Sequence, residues 1–246
     1  MARARMLLVE DEPMLRRFVR LALEELPLEI LECDSVADAI NLLTANTVQL
    51  IVTDLMLPGA SGVDLLRHLQ TFPDLRGQAK VVVFSAGLTP ATRLALAPLQ
   101  VWRMLEKPVS IGILEQCVHD ALADARAQTT PTPRAPPTAT GTAVDQFFGG
   151  DAELFHLYRA TCLVQFPHDL AAGDHAIDTR DTQALRRVAH SLKTVLLTID
   201  LPQLAARAGA LEQTCHAAQQ DAAERDWEPL RAALAEFIKN QAFTHI

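Results

Sequence analysis

Aromatic side chains are scarce: 5% of the 246 residues, with one tyrosine and two tryptophans. So few flat rings argue against a surface that stacks nucleic-acid bases. Basic stripes are missing as well. The net charge is -8, and it divides into -4 over residues 1–126 and -4 over 127–246. Neither half has the cationic footprint with which a protein displaces counterions from DNA, so no nucleic-acid partner is expected. The four cysteines, Cys33, Cys117, Cys162 and Cys215, are far apart and form no CxxC pair, a pattern of reduced thiols in a cytosolic protein. No apolar run reaches the ~20 residues that span a bilayer. The uninterrupted run of four apolar residues in MARARMLLVEDE, MLLV before the acidic residues, is too short for a signal-peptide core. The expectation is a cytoplasmic chain without membrane insertion. No glycine-rich phosphate cradle or ATP-binding pattern is present, so the chain is not itself a kinase.

What is present has the length and apolar content for two domains. With 49% apolar and 21% charged residues, each half can bury its own core. Residues 128–142, QTTPTPRAPPTATGT, hold four prolines among Thr and Ala and show no apolar periodicity, which reads as a semi-stiff tether. The division is therefore 1–126, a linker over 127–143, and 144–246.

The first half alternates short β-type runs with helical patterns. Strands are predicted over 5–10, 28–33, 48–54, 80–85 and 101–105, and helices over 13–26, 35–45, 62–71, 89–97 and 109–127. This alternation implies right-handed crossovers and a five-stranded parallel, doubly wound sheet. Ligands of such sheets bind outside the carboxyl ends of the strands, a rule that gathers Glu10, Asp11, Asp54, Ser85 and Lys107 at one edge. Carboxylates packed together repel unless a cation sits among them. Hard oxygen ligands with room for water and a phosphate oxygen suit Mg2+. Asp54 would supply a nucleophile, while the metal and the Lys107 ammonium neutralise charge on a transferring phosphoryl group. Ser85 could hydrogen-bond a phosphoryl oxygen.

The motifs LLVEDE, DLMLPGASG, Ser85-Ala86 and Lys107-Pro108 resemble those of response-regulator receiver domains, which have a flavodoxin-like fold. The resemblance implies Asp54 as phosphoacceptor and Asp11 as a direct Mg2+ ligand. Glu10 becomes an outer carboxylate and the main-chain carbonyl of Met56 a further ligand, with Ser85 and Lys107 sensing the phosphoryl group. Two features depart from the family pattern. Met104 replaces the usual Tyr or Phe, and APLQ (97–100) replaces a Gly-Ala-rich turn. Haloacid-dehalogenase-like phosphatases, which also use an aspartate nucleophile, need a second Asp two positions on, where this chain has Met56.

The second half reads as helical, over 151–173, 178–198, 201–222 and 226–243. In the second of these helices Leu185, Val188, Ala189, Leu192, Val195, Leu196 and Ile199 form one apolar stripe. On a regular helix His190 falls about 160° from its centre, which predicts an outward imidazole sharing its face with Arg186, Arg187, Lys193 and Thr194. Such a face could hold a phosphoryl group, and it could equally be a surface histidine on a basic patch. The stretch AGDHAIDTRDTQALRRVAHSLKTVLLTIDLPQLAARAGALE resembles histidine-containing phosphotransfer (HPt) domains, which are antiparallel helical bundles. The resemblance implies His190 as phosphoacceptor and Lys193 as its supporting cation. Thr194 and Asp200 stand where the family has glycines. The combined expectation is a phosphorelay intermediate that exchanges a phosphoryl group between Asp54, His190 and partner receivers. Its partners would be a sensor histidine kinase and a downstream response-regulator receiver. The alternatives are a phosphorylation-gated interaction module whose helical domain only docks a partner, and a phosphate sink.

Overall fold

The structure, a computed structural model, describes residues 3–86, 88–123, 141–217 and 220–242. The described residues up to Ala123, with Gln146–Gly149, form one compact unit; Gly141–Asp145 and the described residues from Gly150 onward form a second. The expected linker, 127–143, lies up to residue 140 outside the described residues.

In the first unit five strands, β1 (Ala4–Val9), β2 (Leu28–Cys33), β3 (Leu50–Thr53), β4 (Lys80–Ser85) and β5 (Arg103–Glu106), pair in parallel in the order β2-β1-β3-β4-β5. Every residue of β3 is buried, as are the last four of β1, the near-continuous apolar pattern of strands covered on both faces. Leu7, Val9, Ile51, Val81 and Val83 meet Ala39 and Leu43 of α2 (Val36–Ala45) and Leu65 and Leu69 of α3 (Gly62–Thr71) in one core cluster. The alternate residues Met6, Leu8, Leu50, Val52 and Phe84 are buried too and face the other side, as the two-residue strand period requires. There α1 (Pro13–Ala22) packs on α6 (Ile111–Ala123). Glu12, Ser35, Ser61 and Thr89 each accept a backbone N–H at a helix start, so the turns at the site edge are capped rather than loose. A four-residue α4 (Pro73–Arg76) was not expected. The helix expected over 89–97 is shorter, α5 (Pro90–Leu96), and passes into a 3-10 turn over Ala97–Leu99.

The second unit is a helical bundle of α8 (Ala152–Asp178), α9 (Thr182–Thr198), α10 (Pro202–His216) and α11 (Gln220–Ala242), preceded by the short α7 (Ala143–Phe148). α9 starts four residues later than expected. Arg180 takes the left-handed conformation (φ 56°), and the Asp181 side chain then caps the helix by accepting from Ala184 N–H. Asp200 ends α9 in the same conformation, φ 65°, the role an aspartate can take from a helix-ending glycine. Asp174 ties α8 to α11, accepting from Trp227 Nε1 at 2.9 Å and from Arg231 Nε at 2.7 Å. Beside it, Gly173 is required by close approach: a Cβ there would lie 2.2 Å from the Trp227 ring.

Gly173→Ala should therefore destabilise the bundle by about 1–3 kcal/mol, outweighing the ~1 kcal/mol that alanine gains in a helix. Gly112→Ala in α6, where a Cβ would meet nothing within 4 Å, should instead stabilise slightly. Urea unfolding of both variants checks the pair, and similar effects of the two would contradict the packing argument.

Candidate functional site

Four of the five strands deliver a polar group at the carboxyl edge. Glu10 follows β1, Asp54 follows β3, Ser85 closes β4 and Lys107 follows β5, and all four are buried. Backbone pairing runs past the strand ends: Glu10 N–H donates to Cys33 C=O, Asp54 N–H to Val9 C=O and Lys107 N–H to Ser85 C=O. The side chains therefore start from a rigid platform. Lys107 Nζ donates to Glu10 Oε2 at 2.5 Å and to Asp54 Oδ2 at 2.7 Å. Asp54 Oδ1 accepts from the N–H groups of Leu55 and Met56 at 2.5 and 3.2 Å. Both carboxylate oxygens of Asp54 are thus held. The loop after β3 closes tightly enough that a Cβ on Gly62 would lie 1.9 Å from the Asp54 carbonyl oxygen.

Glu10, Asp11 and Asp54 each place a carboxylate oxygen within 4.8 Å of the others. Burial pushes Glu10 up to about 8, against the pull of Lys107 and with help from Asp54. Asp11 rises to about 6 through burial and then the Asp54 charge. Burial works against the Lys107 charge, but Asp54 and Glu10 outweigh it and hold the ammonium above the ordinary lysine range. The donor set is all oxygen, anionic and incompletely neutralised by one lysine, which fits a hard divalent cation. The Ser85 hydroxyl is buried and has no hydrogen-bond partner among the described residues, so a polar group reaching this edge would find a donor. Met56 lies in the same loop, and its amide, not its carbonyl, is the group seen bonding Asp54. Met104 packs against the core cluster of the sheet.

The second centre differs from its expectation. His190 does not face outward: it is 6% exposed, and Thr194 is 1% exposed. Its Nδ1 lies 2.6 Å from Glu212 Oε1, and Lys193 Nζ donates to Glu212 Oε2 at 2.5 Å. The apolar stripe located only one buried face of α9. His190, Thr194 and Thr198, four residues apart, form a second one, because α10 packs closely along α9. Thr194 thus does not flank an approach to the imidazole. Its hydroxyl turns back to the His190 carbonyl at 3.4 Å, and Thr198 does the same to Thr194 at 2.9 Å. Of the expected cations, Lys193 is drawn to Glu212, while Arg186 and Arg187 are half-buried.

Glu212 was not singled out in the sequence. The signal was available: Ala205, Ala208, Leu211 and Cys215 mark the buried face of α10, and Glu212 stands at its margin. The bonds to His190 and Lys193, working against burial, hold its carboxyl down at about 2. An ionised carboxylate only accepts hydrogen bonds, so His190 Nδ1 carries the hydrogen. In the neutral ring the lone pair then sits on Nε2, which is buried without a partner among the described residues.

Family models match both units: "Response regulator receiver domain" over residues 6–119 and "Hpt domain" over 158–240. The chain carries a receiver domain and an Hpt domain. The response regulator protein PilR of Pseudomonas aeruginosa is 30% identical over 122 residues, 50% of this chain and 27% of PilR. The sensory/regulatory protein RpfC of Xanthomonas campestris is 23% identical over 216 residues, 84% of this chain and 30% of RpfC. The chain thus spans under a third of either relative. A solved sensor protein from Polaromonas is 30% identical, covering 50% of this chain and 98% of that one, with TM-score 0.44. A receiver and an Hpt domain on one chain make a two-component phosphorelay module. No described helix is long and apolar enough to cross a membrane.

The lowered Glu212 carboxyl predicts an acid-sensitive Hpt domain. A group whose folded pKa is depressed contributes stability above its unfolded value, here 4.5, and loses it as pH falls toward about 2. The wild-type advantage over Glu212→Gln should therefore be full at neutral pH and shrink between pH 4.5 and 2. Thermal unfolding across that range measures it, and a pH-independent difference would remove the ionised carboxylate from the account.

Proposed function

We propose that Asp54 accepts a phosphoryl group from a donor outside this chain and exchanges it with His190 or with the histidine of a partner. The observation that carries this reading is the Asp54 carboxylate, held by Lys107 and two backbone amides beside Glu10 and Asp11. One Asp54 oxygen attacks the phosphorus. The bond from phosphorus to the donor breaks, and the donor leaves with that electron pair, forming an acyl phosphate on the chain. Lys107 pairs with the phosphoryl charge, and the Ser85 hydroxyl donates to one of its oxygens. Glu10, Asp11 and Asp54, with the Met56 main-chain carbonyl, would hold Mg2+, which neutralises the phosphoryl oxygens during transfer.

In the onward step a histidine nitrogen attacks the phosphorus, and the bond to the Asp54 oxygen breaks with its electrons returning to the carboxylate. For His190 the nucleophilic atom is Nε2, since Nδ1–H is committed to Glu212. As positive charge develops on the ring, Glu212 stabilises it, and Lys193 steadies Glu212 and meets the incoming phosphoryl group. A sensor histidine kinase in the cytoplasm is the proposed donor and a separate receiver the proposed acceptor.

A second reading is favoured by one observation: His190 Nε2 is buried. If it stays buried, the Hpt domain docks a partner under control of Asp54 phosphorylation without transferring the group. Incubation with acetyl phosphate and Mg2+ tests both readings. Labelling should require Mg2+ and vanish in Asp54→Ala and Asp11→Ala; labelling that survives in both variants removes the receiver assignment. Incubation with a phosphorylated partner should add acid-labile label that is absent from His190→Gln. Acid-stable label alone would favour the docking reading.

Mg2+ affinity should also rise steeply between pH 6 and 8. Asp11 and Glu10 hold protons up to about 6 and 8, and a metal must displace them. Calorimetric titration in buffers of different ionisation enthalpy counts the protons released; affinity flat over that range would mean these carboxylates do not bind the ion.

A further inference from the structure

The turn APLQ (97–100), a departure from the receiver pattern, places its last residue, Gln100, in the wall of a cavity at the amino edge of the sheet. This edge lies at the start of β4 and β5. It is separated from Ser85 by the length of β4, about 17 Å at the usual rise per residue. The cavity encloses about 300 Å³ and is lined by Gln70, Arg76, Lys80, Gln100 and Trp102 among others, with no carboxylate in the lining.

Arg76 is its chemical centre. The guanidinium is half-buried and, among the described residues, meets only neutral acceptors: Nε donates to the Ala79 carbonyl at 3.0 Å and a terminal nitrogen to Gln100 Oε1 at 2.9 Å. Burial alone pulls its pKa below the ordinary arginine value. A guanidinium partly withdrawn from water without a counter-ion among the described residues gains from an anionic partner. Arg103, by contrast, is paired with Asp120 at 2.8 Å, and Lys80 donates to the Asp120 carbonyl.

Gln100 adds a second, independent sign. It adopts the left-handed conformation, φ 52° and ψ 37°, where a glycine would carry no Cβ penalty. Strain of this kind persists where the surroundings enforce it and often marks a functional position. The turn is fastened from the other side as well, since Gln70 Nε2 donates to the Pro98 carbonyl at 3.1 Å. With its Oε1 accepting from Arg76, the Gln100 amide presents its N–H2 group as donor.

We propose that this cavity binds a small oxyanion, a carboxylate or a phosphate monoester, on the Arg76 guanidinium and the Gln100 amide. The volume admits a compact metabolite. Planar fork recognition by arginine suits either oxyanion. Trp102 at the cavity wall, with Lys80 Nζ and Arg103 Cζ each 4.4 Å from its ring, makes occupancy visible by fluorescence.

The full chain, free of divalent ions and at constant ionic strength, is titrated with sodium phosphate and with sodium succinate, against sodium chloride as reference. Saturable binding of at least one oxyanion is expected, with a change in Trp102 emission that is absent in Trp102→Phe. Arg76→Gln should weaken binding at least tenfold while leaving acetyl phosphate labelling of Asp54 intact. Gln100→Gly separates binding from folding: it should weaken binding severalfold while the melting temperature holds or rises, because glycine relieves the backbone. The proposal is overturned if neither oxyanion binds saturably, if chloride produces the same change, or if both variants bind like the wild type. It also fails if Gln100→Gly lowers the melting temperature as well as the affinity, since Gln100 would then serve the fold.

Discussion

A single ammonium group makes the receiver edge possible. Parallel strands end in register, so any polar residue at a strand's carboxyl end is brought against those of its neighbours. Here that places three carboxylates together, two of them almost fully buried. Such a cluster would repel itself open without a cation. Lys107, reaching both Glu10 and Asp54, permits the strands to close over it. The raised carboxyls of Glu10 and Asp11 show that one positive charge is not enough. That residual imbalance leaves uncompensated negative charge at the edge, which a divalent ion or a proton would offset.

The Hpt domain uses the same physics with the signs redistributed. There one carboxylate, Glu212, lies between an imidazole and an ammonium, and against burial the hydrogen bonds it accepts from them drive its carboxyl down instead of up. The two centres are thus electrostatic complements. One holds excess negative charge around the Asp54 carboxylate; the other fixes a ring tautomer by a carboxylate that can only accept. Both draw their geometry from backbone regularity, strand register in one and the one-turn spacing of two packed helices in the other.

The receiver edge was legible in the sequence because its residues lie at the ends of apolar runs. Such runs read as strands, and a parallel sheet has only one place where strand ends meet. Glu10, Asp54, Ser85 and Lys107 followed from that rule before any family pattern was considered. The surroundings of His190 were misread for an equally physical reason. A helical wheel weighs side chains by polarity, so His190 and Thr194 were assigned to the outer face. A helix packed on two sides can bury polar residues when each finds a partner, and the threonines find theirs in their own helix. Glu212 escaped notice because it is an ordinary glutamate on a helical pattern, 22 residues from the imidazole it meets.

The sequence by itself determined the types and order of the longer elements, the division into an α/β half and a helical half, and the convergence of the receiver carboxylates. These depend on periodicity and chain direction, which are local or follow from the chirality of crossovers. Only the tertiary structure decided which way His190 faces, that Glu212 clamps it, and that Arg76 and Gln100 enclose a cavity. Those pairings join residues distant in the chain, and their energies come from burial, which no local pattern of residues encodes.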